Sequence, residues 1–237
     1  MWLPTLLLAQ LLVSPAEPLP TEPPKAAPIE RKRLTETPEA LFAALDSGDK
    51  QRVKAALEDI GLSEWLAYLD DIGLHAVNLD SDPEKERIIT LPNVIAVMKR
   101  DGGEWWSLGT FICCGTQGLD VRAFAEWREL VGTGTRDILV HQTSIGGNGG
   151  AGETRLKAFR IWRGHLYPVF DIVESAHYWL SAESTRISYP QNGRIVIRRD
   201  FTGPKPRKSV CTAMQWNVAA FAFQPSPATN DDCRRMP

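Results

Sequence analysis

A carboxylate and an imidazole on one face of a strand make a simple acid–base pair, and Asp137-Ile-Leu-Val-His141 offers one. Successive side chains of a strand alternate between faces, so Asp137, Leu139 and His141 point the same way. With His177 or Ser144 as a further member, the set would serve a hydrolase as acid, base and nucleophile. None of the compact signatures of such chemistry accompanies it: there is no Gly-x-Ser-x-Gly elbow and no His-Glu-x-x-His. The expectation is therefore a non-catalytic module that binds a partner or ligand through its sheet or loops. A secreted hydrolase built on Asp137, His141 and His177 is the alternative.

Binding chemistry has its own candidates. Trp105, Trp106, Trp162, Tyr178, Trp179 and Trp216 carry the rigid faces on which sugars and peptides stack. Trp105 and Trp106 are neighbours on one strand and point to opposite faces, so at least one must meet the interior. Tyr178 and Trp179, in AHYWLSAES, are the surface candidates for a protein or glycan ligand. The densest positive set, Arg194, Arg198, Arg199, Lys205, Arg207 and Lys208, reads as a charged hairpin that discourages edge pairing. With a formal net charge of −2 the chain has no global attraction for nucleic acid. No cofactor is expected.

The stretch ELVGTGTRDILVHQTSIGGNGGAGE, residues 129–153, concentrates glycine. A phosphate cradle runs a glycine loop from a strand into a helix, where free N–H groups meet the anion. Here Gly132 and Gly134 lead to Asp-Ile-Leu-Val, and Gly146 to Gly152 lead to Thr-Arg-Leu-Lys-Ala-Phe. Both sequels are strands, and no Gly-Lys-Ser or Gly-Lys-Thr is present. The pattern Glu129-Leu-Val-Gly132-Thr-Gly134-Thr-Arg-Asp137-Ile-Leu-Val resembles the repeat of FG-GAP and VCBS proteins, whose acidic calcium loop runs directly into an apolar strand. IGGNGGAGETRLKAFRIWRGHL is similar to the hairpin that follows such loops in exported proteins of unknown function. The resemblance implies Glu129 and Asp137 as the metal-ligating pair. Val131 and Thr133, however, stand where oxygen ligands belong, and calcium needs about six to eight oxygens. The expectation is one degenerate repeat that keeps its glycines for positive-φ turns and has lost the ion.

These residues need elements to hold them. Met1 to Ala16 is an apolar run ending in Ser14-Pro15-Ala16, read as a signal peptide, which places the mature chain in a secreted or periplasmic setting with no membrane span. Residues 17–37 are proline-rich and charged, a tether. Residues 38–82 form a helical cap: Thr37-Pro38-Glu39 starts a helix, and Ser47-Gly48-Asp49 separates it from a second ending at Gly61. A helical segment continues to about Asp71. From 83 to 225 the pattern alternates as an antiparallel β domain, and 226–237 is a tail. Strands are expected over 93–100 and 104–112 about Asp101-Gly102-Gly103, then 121–127, 137–142, 154–162 and 166–172. A hairpin turns at Gln191-Asn192-Gly193-Arg194, and strands over 210–216 and 220–223 close the series. The fold class is α+β, an N-terminal helical hairpin followed by a mainly antiparallel β domain. Of the four cysteines, Cys113, Cys114, Cys211 and Cys233, the expected bond joins Cys211 to Cys233 and straps the tail to the last hairpin.

Overall fold

A computed structural model describes residues 26–112, 124–145, 152–178, 181–189, 193–204, 208–234 and 236 of the 237-residue chain. The fold class is as expected: a helical hairpin precedes two antiparallel sheets. Strand β1 (Lys32–Arg33) leads into helices α1 (Pro38–Ser47) and α2 (Lys50–Asp59), then a 3₁₀ helix (Ser63–Asp71). Strands β2 (Gly73–Val77), β3 (Glu86–Leu91), β4 (Val94–Asp101) and β5 (Glu104–Ile112) complete the first sheet, in the order β1-β5-β4-β3-β2. The second sheet takes its strands in simple succession. They are β6 (Phe124–Arg128), β7 (Asp137–Ile145), β8 (Gly152–Trp162), β9 (His165–Tyr178), β10 (Ser181–Ser188), β11 (Arg194–Thr202), β12 (Lys208–Asn217) and β13 (Ala222–Ser226). A short helix, α3 (Asn230–Arg234), ends the fold.

Local chemistry sets the helix ends. The Thr37 hydroxyl accepts from the Ala40 amide at 3.0 Å with Pro38 in the first turn, and Asp49 caps α2 through the amides of Gln51 and Arg52. Such caps contribute about 1 kcal/mol each by satisfying amides that lack an intrahelical partner.

Three apolar clusters define the layers. The inner faces of the helices, through Leu41, Val53 and Leu57, pack on Ile89, Val94, Ala96 and Met98 of the first sheet. The opposite face of that sheet, with Ile88, Ile95, Val97 and Leu108, packs on Ile138, Val140, Phe159 and Ile161 of the second. Trp105 joins the first cluster and Trp106 the second, so the two neighbours serve opposite faces and both help fill the interior. A third cluster unites Leu139 and Leu156 with Ile195, Trp216 and Phe223. Strands this far apart in one sheet share a core only because the sheet is strongly curved, and β13 comes round to meet β9.

Three boundaries differ from the sequence reading. The segment 17–37 is not wholly a tether: Lys32 and Arg33 pair with Ser107 and Trp106, and Leu34 is buried with the helices. Its cations find partners there, Arg31 on Asp101 and Arg33 on Glu104, both at 2.8 Å, with Arg31 also 4.1 Å from the Trp106 ring centre. The cap ends before residue 82, because Gly73–Val77 is strand β2, five residues too short to show a clear period. The tail, in turn, contains α3, bonded to β12 through the Cys211–Cys233 disulfide. Cys113 and Cys114, residues 1–16, the glycines at 146–150 and the turn residues Gln191 and Asn192 lie outside the described residues.

Candidate functional site

The loop Glu129 to Asp137 carries residues of both the hydrolase and the calcium alternatives. Gly132 and Gly134 adopt φ of +78° and +77°, the left-handed conformation expected of a tight glycine turn. Leu130 and Val131 dive into the core of the curved sheet. Val131, which stands where a calcium loop would place an oxygen, is thus a packing residue. Glu129 Oε1 accepts from the Gly134 amide at 2.6 Å. The Asp137 carboxylate accepts from Nε and Nη2 of Arg160, each at 2.7 Å, and from the Leu130 amide at 3.2 Å. Asp137 and Arg160 are both buried, and the guanidinium lies 4.8 Å from the centre of the Trp216 ring. Burial pushes the Asp137 carboxyl up from its ordinary value, while Arg160 and the Leu130 amide pull the other way. Both Asp137 oxygens and one oxygen of Glu129 therefore meet protein donors, with Arg160 supplying the positive charge beside Asp137.

The three residues of the hydrolase alternative stand apart. Asp137 and His141 share a strand face but are four residues apart, ~14 Å at about 3.4 Å per residue. Asp137 is fully buried on Arg160, whereas His141 is partly buried and its Nδ1 lies 2.7 Å from Glu174 Oε2 on β9. His177 is exposed further along β9, opposite Gly152 and Ala182. Gly152 in turn faces Ile145, four residues beyond His141. The carboxylate that His141 meets is Glu174, an assignment closed to sequence reading because it depends on β7 and β9 flanking β8. Trp179 and the side chain of Tyr178 lie outside the described residues. The basic set on β11 is largely paired, Arg194 with Asp232, Arg198 with Asp200 and Arg199 with Glu183. Lys205 and Arg207 lie outside the described residues.

A second acidic loop joins β2 to β3 and went unremarked in the sequence, although its alternation of Asn78, Asp80, Asp82, Glu84 and Glu86 is visible there. Asp80, Asp82 and Glu86 place carboxylate oxygens within 4.8 Å of one another. By donor type they suit a hard cation, but the position is taken: Lys99 Nζ lies 2.9 Å from Asp80 and 2.7 Å from Glu86, and also contacts Asp82. Burial alone would lower the Lys99 pKa, but the bonds to these three carboxylates outweigh it and hold the amine charged. Glu86, wholly buried, has its carboxyl pushed up by burial, against the pull of Lys99 and the Leu79 amide. The loop is a rigid corner, and it touches the glycine loop where the Arg136 amide donates to the Leu79 carbonyl at 3.0 Å.

At that corner the two sheets part and leave an open groove of about 860 Å³. Its walls come from β2, with His75, from the acidic loop, with Asn78, Asp80 and Lys85, and from the second sheet, with Trp127 and Arg136. His75 and Trp127 lie ring to ring across the seam, centres 5.4 Å apart and tilted by 53°. His75 Nε2 is also 3.2 Å from the Thr90 hydroxyl, which fixes the imidazole. Asp80 shares the single amine of Lys99 with Asp82 and Glu86. Lys85 and Arg136 are exposed and form no ion pair among the described residues, so two of the three charged side chains lining the groove are cations open to a ligand. No sequence signal marks it, because β2 and β6 are remote in the chain and each supplies only one ring.

No protein-family model, curated protein or solved structure matches the chain. Among the described residues, no helix is long and apolar enough to cross a membrane.

Proposed function

We propose that this chain is an exported, non-catalytic binding module whose ligand sits in the groove between the two sheets. The observation that carries the reading is the conjunction of Trp127 and His75 with two unpaired cations, Lys85 and Arg136, in one open cleft. Half-exposed aromatic faces supply contact area at low entropic cost, and cations without internal partners are available to a ligand. The inter-sheet core beside the groove, through Val77, Leu79, Ile138 and Val140, keeps that geometry preformed. The exported setting rests on the apolar run before Glu17, and N-terminal sequencing of extracytoplasmic protein should start near that residue. The loop at 129–137 is read as a degenerate FG-GAP-like turn, supported by Val131 in the core and by the pairing of Asp137 with Arg160.

The test is an array of peptides and glycans probed with the mature chain and with a Trp127→Ala, Arg136→Glu variant. Features bound by the wild type should be lost by the variant. Retention of all of them, or an array on which the wild type binds nothing, would contradict the proposal.

A hydrolase is the second reading, and the His141–Glu174 contact at 2.7 Å favours it over any site containing Asp137. On that reading Glu174→Gln abolishes turnover of a chromogenic ester panel by the purified wild-type chain, and an inactive wild type removes it.

A further inference from the structure

Among the described residues four strands end the two sheets, and three of them are guarded. Natural proteins protect sheet edges with charge, proline, brevity or a bulge, because an open edge invites another strand. Strand β1 is two residues long and both are cationic. Strand β13 contains Pro225, and the chain that follows it is tied back by Arg194 of β11, which bonds both Asp232 and the Pro227 carbonyl, and by the disulfide to β12. Strand β6 carries Glu126 and Arg128, paired with each other. Strand β2, Gly-Leu-His-Ala-Val, has no lysine, arginine, carboxylate or proline, and its register with β3 runs unbroken from Gly73 to Val77. Ala76 on this edge is exposed.

From these observations we propose that β2 is a docking edge that receives an extended, acidic peptide as a sixth strand of the first sheet. The inference rests on the groove reading and gives its ligand a chemical class. Main-chain groups of β2 supply the pairing, as in strand addition generally, and the flanking groove supplies side-chain selection. A strand laid on β2 presents every second side chain toward His75, Trp127, Lys85 and Arg136, which together line the groove. Carboxylates at those positions meet Lys85 and Arg136, which form no ion pair among the described residues. A second copy of this chain fits less well, since it would bring the same cations to a wall that needs anions, and a saccharide would leave the unguarded edge unexplained.

The test uses a fluorescein-labelled octapeptide of alternating valine and glutamate, with two further versions N-methylated at alternate residues in either phase. Anisotropy titrations should show saturable binding of the parent peptide at low ionic strength. At least one methylated version should bind tenfold or more weakly, because methylation removes the N–H groups of one strand edge while keeping every side chain. Lys85→Glu with Arg136→Glu should weaken the parent peptide at least tenfold, with the melting temperature used to confirm that the variant is folded. Equal binding of the parent and both methylated versions overturns strand addition, as does concentration-dependent dimerisation through β2 seen by sedimentation. If the peptides fail while a galacturonate trisaccharide binds and is lost in Trp127→Ala, strand addition is overturned but the groove reading survives. If neither probe binds, both fall.

Discussion

Asp137 and Arg160 form an ion pair whose side chains are both fully buried and joined by two bonds at 2.7 Å. Removing one partner of a buried pair strands the other charge, at a cost of about 3–5 kcal/mol, whereas replacing both by apolar residues is often neutral. Arg160→Met and Asp137→Leu are thus expected each to destabilise the chain strongly in urea titrations, and the double variant to recover much of the loss. Additive losses in the double variant would contradict the pairing. Asp232 gives a pH test of the same kind on the surface. Its carboxyl is held down at about 2 by the hydrogen bond from Arg194 and by the Thr229 amide. A depressed carboxyl pKa contributes stability that is present above the unfolded value and lost as pH falls toward the folded one. The melting-temperature difference between wild type and Asp232→Asn should therefore be full at pH 7 and vanish between about pH 4 and 2.

Glycine turns and strand pairs belong to the element scale. Nothing crowds a side chain at Gly134, so a substitution there is felt through its φ of +77°. Gly134→Val should cost about 1–3 kcal/mol by forcing a β-branched residue into that conformation, read as a lower melting temperature. Millimolar calcium should leave the wild-type melting temperature unchanged, since Glu129 and Asp137 are spent on Gly134, Leu130 and Arg160. The Cys211–Cys233 bond spans a sequence separation of 22, for which chain-entropy reasoning gives about 3 kcal/mol. Cys233→Ser should lower stability by about that much, and a melting temperature indifferent to reduction would contradict it. At this scale the sequence was readable where its signals were local. Thr37-Pro38 and Ser47-Gly48-Asp49 marked the helix ends, Asp101-Gly102-Gly103 marked a hairpin, and alternation placed β7, β8 and β11. Strands β1 and β2 were not legible, because two and five residues carry no period and both are strands only through their partners on β5 and β3.

At the scale of the whole molecule, the acid–base pair that sequence reasoning assembled came from one strand, and the parts it missed came from two sheets. Asp137 and His141 were joined by alternation, yet one is locked to Arg160 in the core and the other turns to Glu174. His75, Lys85, Trp127 and Arg136 meet only because the inter-sheet core, through Val77, Leu79, Ile138 and Val140, holds β2 and β6 at the same end of the seam. Packing between layers is a long-range fact that no local pattern encodes. The most direct test is amide hydrogen exchange of the chain with and without the valine–glutamate octapeptide or the galacturonate trisaccharide at saturation. The account predicts protection confined to Gly73–Val77, Phe124–Arg128 and the residues about Lys85 and Arg136. Protection centred instead on β7 and β9 around His141 and Glu174, with the seam unchanged, would contradict it.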